Sequence, residues 1–194
     1  MNRLIGALCA TALAATSAAA NDYRAKGVPV AVAKSTMQVV PTRDWNKLGA
    51  RPGKKAETWT LDGEQLNDVT FFAGIAPGEP LIKERNKKRE PLPRLNRATL
   101  LVEVPELLEQ TYRTARGIGG FKLLASAPDR FLGSDGIRFT YDYVDADELP
   151  RKGEARAALI KGALYMVTFD APRLHFYDRA LADYRTLADS AVLR

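Results

Sequence analysis

The sequence predicts an α+β fold in which helices pack on a mostly antiparallel sheet of six or seven strands. Three observations support this prediction. Short β-prone runs separated by turn residues occupy most of the chain, two segments have helical periodicity, and one of those helices closes the chain. Successive strands joined by tight turns pair antiparallel, and helices then cover the sheet that they form.

The first half of the chain contains four β-prone segments. Residues 28–32 and 36–40 are short runs separated by a polar break. Residues 57–62 alternate between polar and apolar side chains and place Trp59 on the apolar face. A turn then leads into a longer strand over residues 66–75.

The second half predicts four more strands, over residues 121–125, 137–144, 155–160 and 163–169. The last two are separated only by Lys161-Gly162, a spacing that favours a tight antiparallel hairpin. Segment 137–144 has the clearest period-two pattern in the chain. Its apolar positions place three aromatic side chains on one face: Phe139, Tyr141 and Tyr143.

Two helices are predicted. The first opens near Pro105, which suits an initial turn, and ends at Gly117, which can adopt the left-handed conformation of a helix stop. The second starts near Asp178, a good N-cap residue, and repeats apolar residues at three- and four-residue steps almost to the end of the chain.

Residues 1–20 have the pattern of a secretory signal peptide. A short basic start precedes an apolar run, and small residues before Asn21 suit a signal peptidase. The one cysteine, Cys9, lies in this run, and Leu8 before it disfavours the alternative of a lipid anchor. We therefore expect a periplasmic or secreted protein in which residues 21–194 form a single α+β domain without disulfides.

A basic loop is predicted over residues 83–97. It carries seven positive and two negative charges, a net of +5, and its prolines interrupt strand and helix patterns. The positive residues are Lys83, Arg85, Lys87, Lys88, Arg89, Arg94 and Arg97. One interpretation is a solvated, mobile connection. The other is a docking patch for an anionic envelope surface, such as phospholipid or lipopolysaccharide headgroups, with peripheral membrane contact, or for an acidic protein. We do not expect nucleic acid to be the partner, because the chain is predicted to be exported and has no nucleic-acid-binding motif.

The residue types that usually support catalysis or metal binding are sparse. His175 is the one histidine, so a zinc site would need carboxylates, and we expect this histidine to be packed. Residues 133–136 read Gly-Ser-Asp-Gly and lack the spacing of a nucleophile elbow. The acidic cluster Asp142, Asp145, Asp147 and Glu148 departs from the calcium-loop pattern at Leu149. We expect no enzyme activity, no cofactor and no metal.

The aromatic face of Phe139, Tyr141 and Tyr143 leaves two alternatives. At period-two spacing it is typical of sheet core under a helix, but tyrosine hydroxyls need polar partners when buried. It could therefore also line a pocket for a small ligand. A cavity beneath these rings would favour the second alternative, and a closed sheet the first.

The order of elements resembles the PsbP-like fold group, which includes extrinsic photosystem subunits and bacterial relatives. The similarity rests on early strands around a tryptophan, a helix after a long insertion, a three-strand meander and a closing helix that ends in Ser190-Ala191-Val192. The closest local match is the strand Gly162-Ala163-Leu164-Tyr165-Met166-Val167-Thr168-Phe169. The resemblance covers most of the mature chain and implies a non-catalytic binding or assembly role.

The sequence thus favours a secreted, non-enzymatic binding or assembly protein of the bacterial cell envelope that uses the basic loop. The alternative is a small-ligand carrier or sensor that uses the aromatic sheet face.

Overall fold

The computed structural model describes residues 21–194, and the expected signal peptide and Cys9 lie outside the described residues. The strands are β1 (Asp22–Arg24), β2 (Val30–Ala31), β3 (Met37–Val39), β4 (Trp45–Lys47), β5 (Ala56–Thr60), β6 (Asp68–Ile75), β7 (Phe121–Phe131), β8 (Ser134–Val144), β9 (Pro150–Ile160), β10 (Ala163–Pro172) and β11 (Val192–Leu193). The helices are α1 (Val104–Arg116), which a 3₁₀ turn over Leu101–Glu103 precedes, and α2 (Phe176–Asp189).

The main sheet has eight strands in the order β1-β4-β5-β6-β10-β9-β8-β7, and every neighbouring pair is antiparallel. A small second sheet contains β11, β3 and β2. The predicted α+β class is confirmed, whereas the predicted strand count of six or seven is too low. Strands β1 and β4 have only three residues each, which is too short to produce a recognisable alternation.

One helix covers each face of the main sheet. Helix α1 buries Leu108 and Tyr112 in a cluster that includes Tyr141 and Met166 from the sheet. Helix α2 buries residues such as Leu187 in a separate cluster on the opposite face, which contains Trp59, Phe71 and Phe169. Because side chains alternate along each strand, the long central strands contribute to both clusters.

Two-residue turns connect β7 to β8 and β9 to β10. Lys161 and Gly162 have φ angles of 50° and 76°, which confirms the predicted tight hairpin. Leu132 and Gly133 form a similar turn, with φ angles of 53° and 76°. The sequence predicted a longer connection over residues 128–136, but β7 and β8 run through it. Pro128 is tolerated there because β7 is an edge strand, where a missing N–H need not break the ladder.

The helix ends agree largely with the prediction. Helix α1 has Pro105 in its first turn and ends at Gly117 with a φ of 62°. Helix α2 begins at Phe176, two residues before the predicted start at Asp178. Within residues 21–194, no helix combines the length and the apolar character needed to cross a bilayer.

Candidate binding surface

The basic loop is attached to the molecule by two leucines. Leu92 is 5% exposed and Leu95 is 1% exposed, and Leu95 packs in the cluster under α1. Backbone hydrogen bonds fix the same end of the loop: Gly78 N donates to Leu95 O at 2.8 Å, and Leu95 N donates to Glu79 O at 3.1 Å. The loop therefore lies against the side of the sheet that α1 covers.

Arg94 has a structural role within the loop. Its Nη2 atom pairs with Glu84 Oε2 at 2.5 Å, and its Nη1 atom donates to Gly78 O at 2.7 Å. Glu84 also accepts a hydrogen bond from Leu92 N through Oε1 at 3.2 Å. Of the seven basic residues predicted to bind a partner, Arg94 is thus the one whose charge is used to fold the loop.

A turn at the middle of the loop presents three consecutive cations to solvent. Glu90 N donates to Asn86 O at 2.9 Å, and Arg89 N donates to Asn86 Oδ1 at 3.3 Å. Lys87, Lys88 and Arg89 are all exposed on this turn. Their positive charges are close together, so their fields add over the adjacent solvent.

The other basic side chains of the loop are exposed as well. Among the described residues, no ion pair involves Lys83, Arg85, Lys87, Lys88, Arg89 or Arg97. Because none of the six is held in an ion pair and residues 83–97 carry a net charge of +5, these six side chains form the strongest candidate contact surface of the loop.

The aromatic face lies in the core under α1. Phe139, Tyr141 and Tyr143 share one face of β8, as the alternation predicted, and all three are buried. Tyr112 of α1 packs edge-on against Tyr143 with ring centroids 5.7 Å apart, and Phe121 stacks on Tyr141 at 5.0 Å. Protein side chains therefore fill the space over these rings.

Two of the buried tyrosines, Tyr112 and Tyr141, donate hydrogen bonds to the same carboxylate. Tyr112 Oη donates to Asp170 Oδ2 at 2.6 Å, and Tyr141 Oη donates to Asp170 Oδ1 at 2.9 Å. The Nη1 atom of Arg116 lies 3.9 Å from Asp170 Oδ2 and supplies a positive charge. Burial, together with the neighbouring Asp170, raises the pKa of Tyr141 well above its ordinary value. Asp170 was not identified from the sequence, where it follows directly after a predicted strand.

A second carboxylate, Asp68, pairs with Asp170 across β6 and β10. Burial raises the pKa of Asp68 from 3.8 to about 7, and the negative charge of Asp170 adds to the increase. The backbone N–H of Gln65 and the guanidinium groups of Arg116 and Arg151 act in the opposite direction but do not outweigh burial.

Among the acidic residues after β8, Asp145 stabilises the connection between β8 and β9. Asp145 Oδ1 accepts hydrogen bonds from the backbone N–H groups of Asp147 and Leu149, both at 3.0 Å. Its Oδ2 atom lies 3.4 Å from Nη1 of Arg151. No group of three or more His, Cys, Asp or Glu side chains in residues 21–194 is arranged to hold a metal ion. Pro150, which follows this connection, is the first residue of β9.

Two cavities in the described part of the chain lie away from the basic loop. One, of about 230 Å³, is an open depression at the sheet end near Phe121, Lys122, Tyr143 and Arg173, and Tyr143 is the only one of the three predicted aromatic residues that lines it. A second, of about 330 Å³, lies near Asn46 and Thr60. Neither lies beneath the aromatic face as a closed pocket would.

His175 is not packed as we expected. It is exposed at the start of α2 and has a φ of 67°. It lies in the connection between β10 and α2, outside both buried clusters. The expectation of a buried histidine is therefore wrong.

Comparison with known proteins identifies the fold. No protein-family model and no curated protein matches the chain. The solution structure of cyanobacterial PsbP (CyanoP) from Synechocystis sp. PCC 6803 matches with a TM-score of 0.56 and 14% sequence identity, over 95% of this chain and 98% of that chain. The chain therefore has a PsbP-like fold, as its element order predicted.

Two other solved structures are less similar. The immunity protein TplEi of the T6SS from Pseudomonas aeruginosa has a TM-score of 0.41 and 13% identity, over 82% of this chain and 46% of that chain. LpqN, involved in cell envelope biogenesis of Mycobacterium tuberculosis, has a TM-score of 0.37 and 8% identity, over 92% and 87%. Similarities of this size carry no argument about the present chain.

Proposed function

We propose that this chain is an exported, non-catalytic binding or assembly protein of the bacterial cell envelope and that the basic loop is its contact surface. The observation that carries the proposal is the set of six exposed cations without ion-pair partners on a loop that Leu92, Leu95 and Arg94 hold in place.

The anchoring of the loop favours recognition by charge. A loop that is anchored at one end loses less conformational entropy on binding than a free chain does. Exposed like charges contribute little to folding and slightly oppose it, while their summed field attracts an anionic partner. The cations on the Asn86–Glu90 turn therefore cost some stability and gain affinity for a negative surface.

Two features support binding over catalysis. Tyr112 and Tyr141, whose pKa values burial raises, donate to Asp170 in the core under α1 and line neither of the two cavities described above. The PsbP-like fold also agrees with the binding or assembly role that the resemblance implies, although a fold alone is weak evidence for function.

The alternative of a small-ligand carrier receives less support. Tyr112 and Phe121 pack on the aromatic face, so no space for a ligand remains over Tyr141. A carrier would have to open α1 away from the sheet and expose Asp170, which is 1% exposed. Exposing the buried cluster would lose the free energy gained when the apolar side chains of α1 are buried against the sheet.

The decisive experiment compares two triple variants that remove the same number of charges. In the first, Lys87, Lys88 and Arg89 are changed to serine. In the control, three exposed cations elsewhere, Lys122, Arg173 and Arg194, are changed to serine. Each protein is incubated with envelope extract at low and moderate salt, and the retained fraction is measured.

We expect the loop variant to lose retention and the control to behave as the wild type. Retention of the wild type should also fall with salt, because the screening length drops from about 30 Å at 0.01 M to about 10 Å at 0.1 M. Equal retention of the loop variant and the wild type would overturn the proposal.

Export is tested separately by mass spectrometry of the secreted protein, which should begin at Asn21. A form that retains Met1 or carries a lipid on Cys9 would contradict the proposed export as a soluble protein.

A further inference from the structure

An exposed aliphatic pair lies between the basic loop and α1. Leu100 is 61% exposed and Val102 is 72% exposed, whereas Leu101 between them packs partly against the cluster under α1. Isolated exposed aliphatic residues are common. Here two of them flank Leu101, whose partial packing against the cluster under α1 holds the turn in place.

The turn that carries this pair is held by its own hydrogen bonds. Leu100 N donates to Glu103 Oε2 at 2.8 Å, and Glu103 N donates to Leu100 O at 3.0 Å. The side chains of Leu100 and Val102 take no part in these bonds. They can therefore be replaced by serine without loss of the turn, particularly since serine is favoured at the N-cap position that Leu100 occupies.

Arg97 places one of the cations beside the aliphatic pair. Arg97 lies on a turn in which Asn96 N donates to Thr99 Oγ1 at 2.9 Å, and it precedes Leu100 by three residues, a span of at most about 11 Å along the chain. Leu95 on one side of this turn and Leu101 on the other pack on the same cluster under α1. The cations and the aliphatic pair thus meet at the same side of the sheet.

We propose, on the basis of the function proposed above, that the partner of the basic loop is the surface of an anionic phospholipid bilayer and that Leu100 and Val102 insert into its headgroup region. Cations beside exposed aliphatic side chains are the combination that interfacial binding needs: charge draws the protein to anionic headgroups, and apolar side chains leave water at the acyl boundary. An acidic protein is the competing occupant, and protease treatment of the envelope extract tests for it.

Nearby acids limit the orientation of the bound protein. Glu103 and Glu106 are exposed at the start of α1 and would be repelled by an anionic bilayer. Residues 83–97 carry a net charge of +5, which exceeds the charge of these two carboxylates, so the loop faces the membrane. Because Glu103 lies on the turn of the aliphatic pair, only the side chains of Leu100 and Val102 enter the headgroup region.

The test separates the apolar contribution from the charge. Leu100→Ser/Val102→Ser is compared with a matched control, Val28→Ser/Leu174→Ser, which removes a valine and a leucine that are also more than half exposed from other parts of the surface. Both variants and the wild type are co-sedimented with phosphatidylglycerol/phosphatidylethanolamine vesicles and with phosphatidylcholine vesicles at low and moderate salt.

We expect the Leu100/Val102 variant to bind phosphatidylglycerol vesicles at least about fivefold more weakly than the wild type. We also expect the variant to lack the part of wild-type binding that persists at moderate salt. The control should match the wild type, and phosphatidylcholine should bind all three weakly. An environment-sensitive fluorophore attached through Leu100→Cys should shift to the blue with anionic vesicles, whereas the same label at Leu174→Cys should not.

The outcomes distinguish this inference from the proposed function. Unchanged vesicle binding by the Leu100/Val102 variant, with a label at position 100 that stays in water, would overturn the membrane inference. The proposed function would then survive if the Lys87/Lys88/Arg89 variant still lost binding to envelope extract. Loss of wild-type binding when the extract is treated with protease would identify a protein partner and would also overturn the inference.

Discussion

The ring of Tyr141 lies over Gly153, its direct partner on the neighbouring strand β9, and occupies the space that a side chain at position 153 would need. The same tyrosine donates a hydrogen bond from Oη to Asp170 Oδ1 at 2.9 Å. The glycine therefore sets the position of the ring, and the ring in turn satisfies one oxygen of a carboxylate that is 1% exposed.

We expect Gly153→Ala to destabilise the protein. An added Cβ atom would overlap the Tyr141 ring, and overpacking in a filled core typically costs about 1–3 kcal/mol. Displacing the ring would also weaken its hydrogen bond to Asp170. Urea unfolding of the variant measures the effect. Gly120→Ala is the control, since a Cβ there meets nothing within 4 Å, and equal stability of the two variants would contradict the assignment.

The titration of Asp68 should make stability depend on pH. Because burial raises its pKa from 3.8 to about 7, the folded protein holds this proton more tightly than the unfolded chain does. The contribution of Asp68 is therefore complete below about pH 4 and is lost as the pH rises to about 7. Asp68→Asn removes this loss.

The measurement is the difference in urea midpoint between Asp68→Asn and the wild type at several values of pH. We expect the variant to gain stability relative to the wild type from pH 4 to pH 7, and the difference to stay constant above pH 7. Other titrating groups, such as Asp129, cancel in this difference because both proteins contain them. A difference that does not change with pH would contradict the raised pKa.

The elements with long, regular patterns could be predicted from the sequence. Residues 137–144 alternate over eight positions, and Pro105 and Gly117 mark both ends of α1, so local rules suffice there. Strands β1, β4 and β11 could not be predicted, because two or three residues carry no period and pair only where the rest of the sheet places them.

The charge of the candidate surface could be predicted from the sequence, but the contacts within the loop could not. Lys87, Lys88 and Arg89 are consecutive charged residues, so their exposure to solvent could be expected. Their role in binding stays a prediction. The structural role of Arg94 depends on how the loop folds back on Glu84, ten residues away. The Asp170 cluster could not be found either, since Tyr112 is 58 residues from Asp170 and only the packing of α1 brings them together.

The core under α2 should be sensitive to truncation. Leu187 is fully buried in the cluster with Phe71 and Phe169, so Leu187→Ala should cost about 2–5 kcal/mol through lost burial and the cavity that remains. Leu174→Ala, at a position that is 74% exposed, should change stability by less than about 0.5 kcal/mol. Chemical unfolding of both variants tests the contrast, and a neutral Leu187→Ala would show that α2 is not part of the cooperative core.

Limited trypsin digestion should first cut the chain between Lys83 and Arg97. The backbone around Lys87, Lys88 and Arg89 is exposed and makes few hydrogen bonds, so little free energy is needed to open it for a protease. The exposed cations Arg113 and Arg179 lie on helices and should be cut later, because their cleavage requires α1 or α2 to unfold.

The anchors of the loop provide a control for this order. Leu95→Ala should speed cleavage in the loop, because it removes a side chain that is 1% exposed and ties the loop to the cluster under α1. Fragment masses taken over the first minutes of digestion identify the sites. Initial cuts at Arg179 or Arg185 would place the least stable part of the molecule in α2, and the loop would then be more firmly fixed than its few contacts imply.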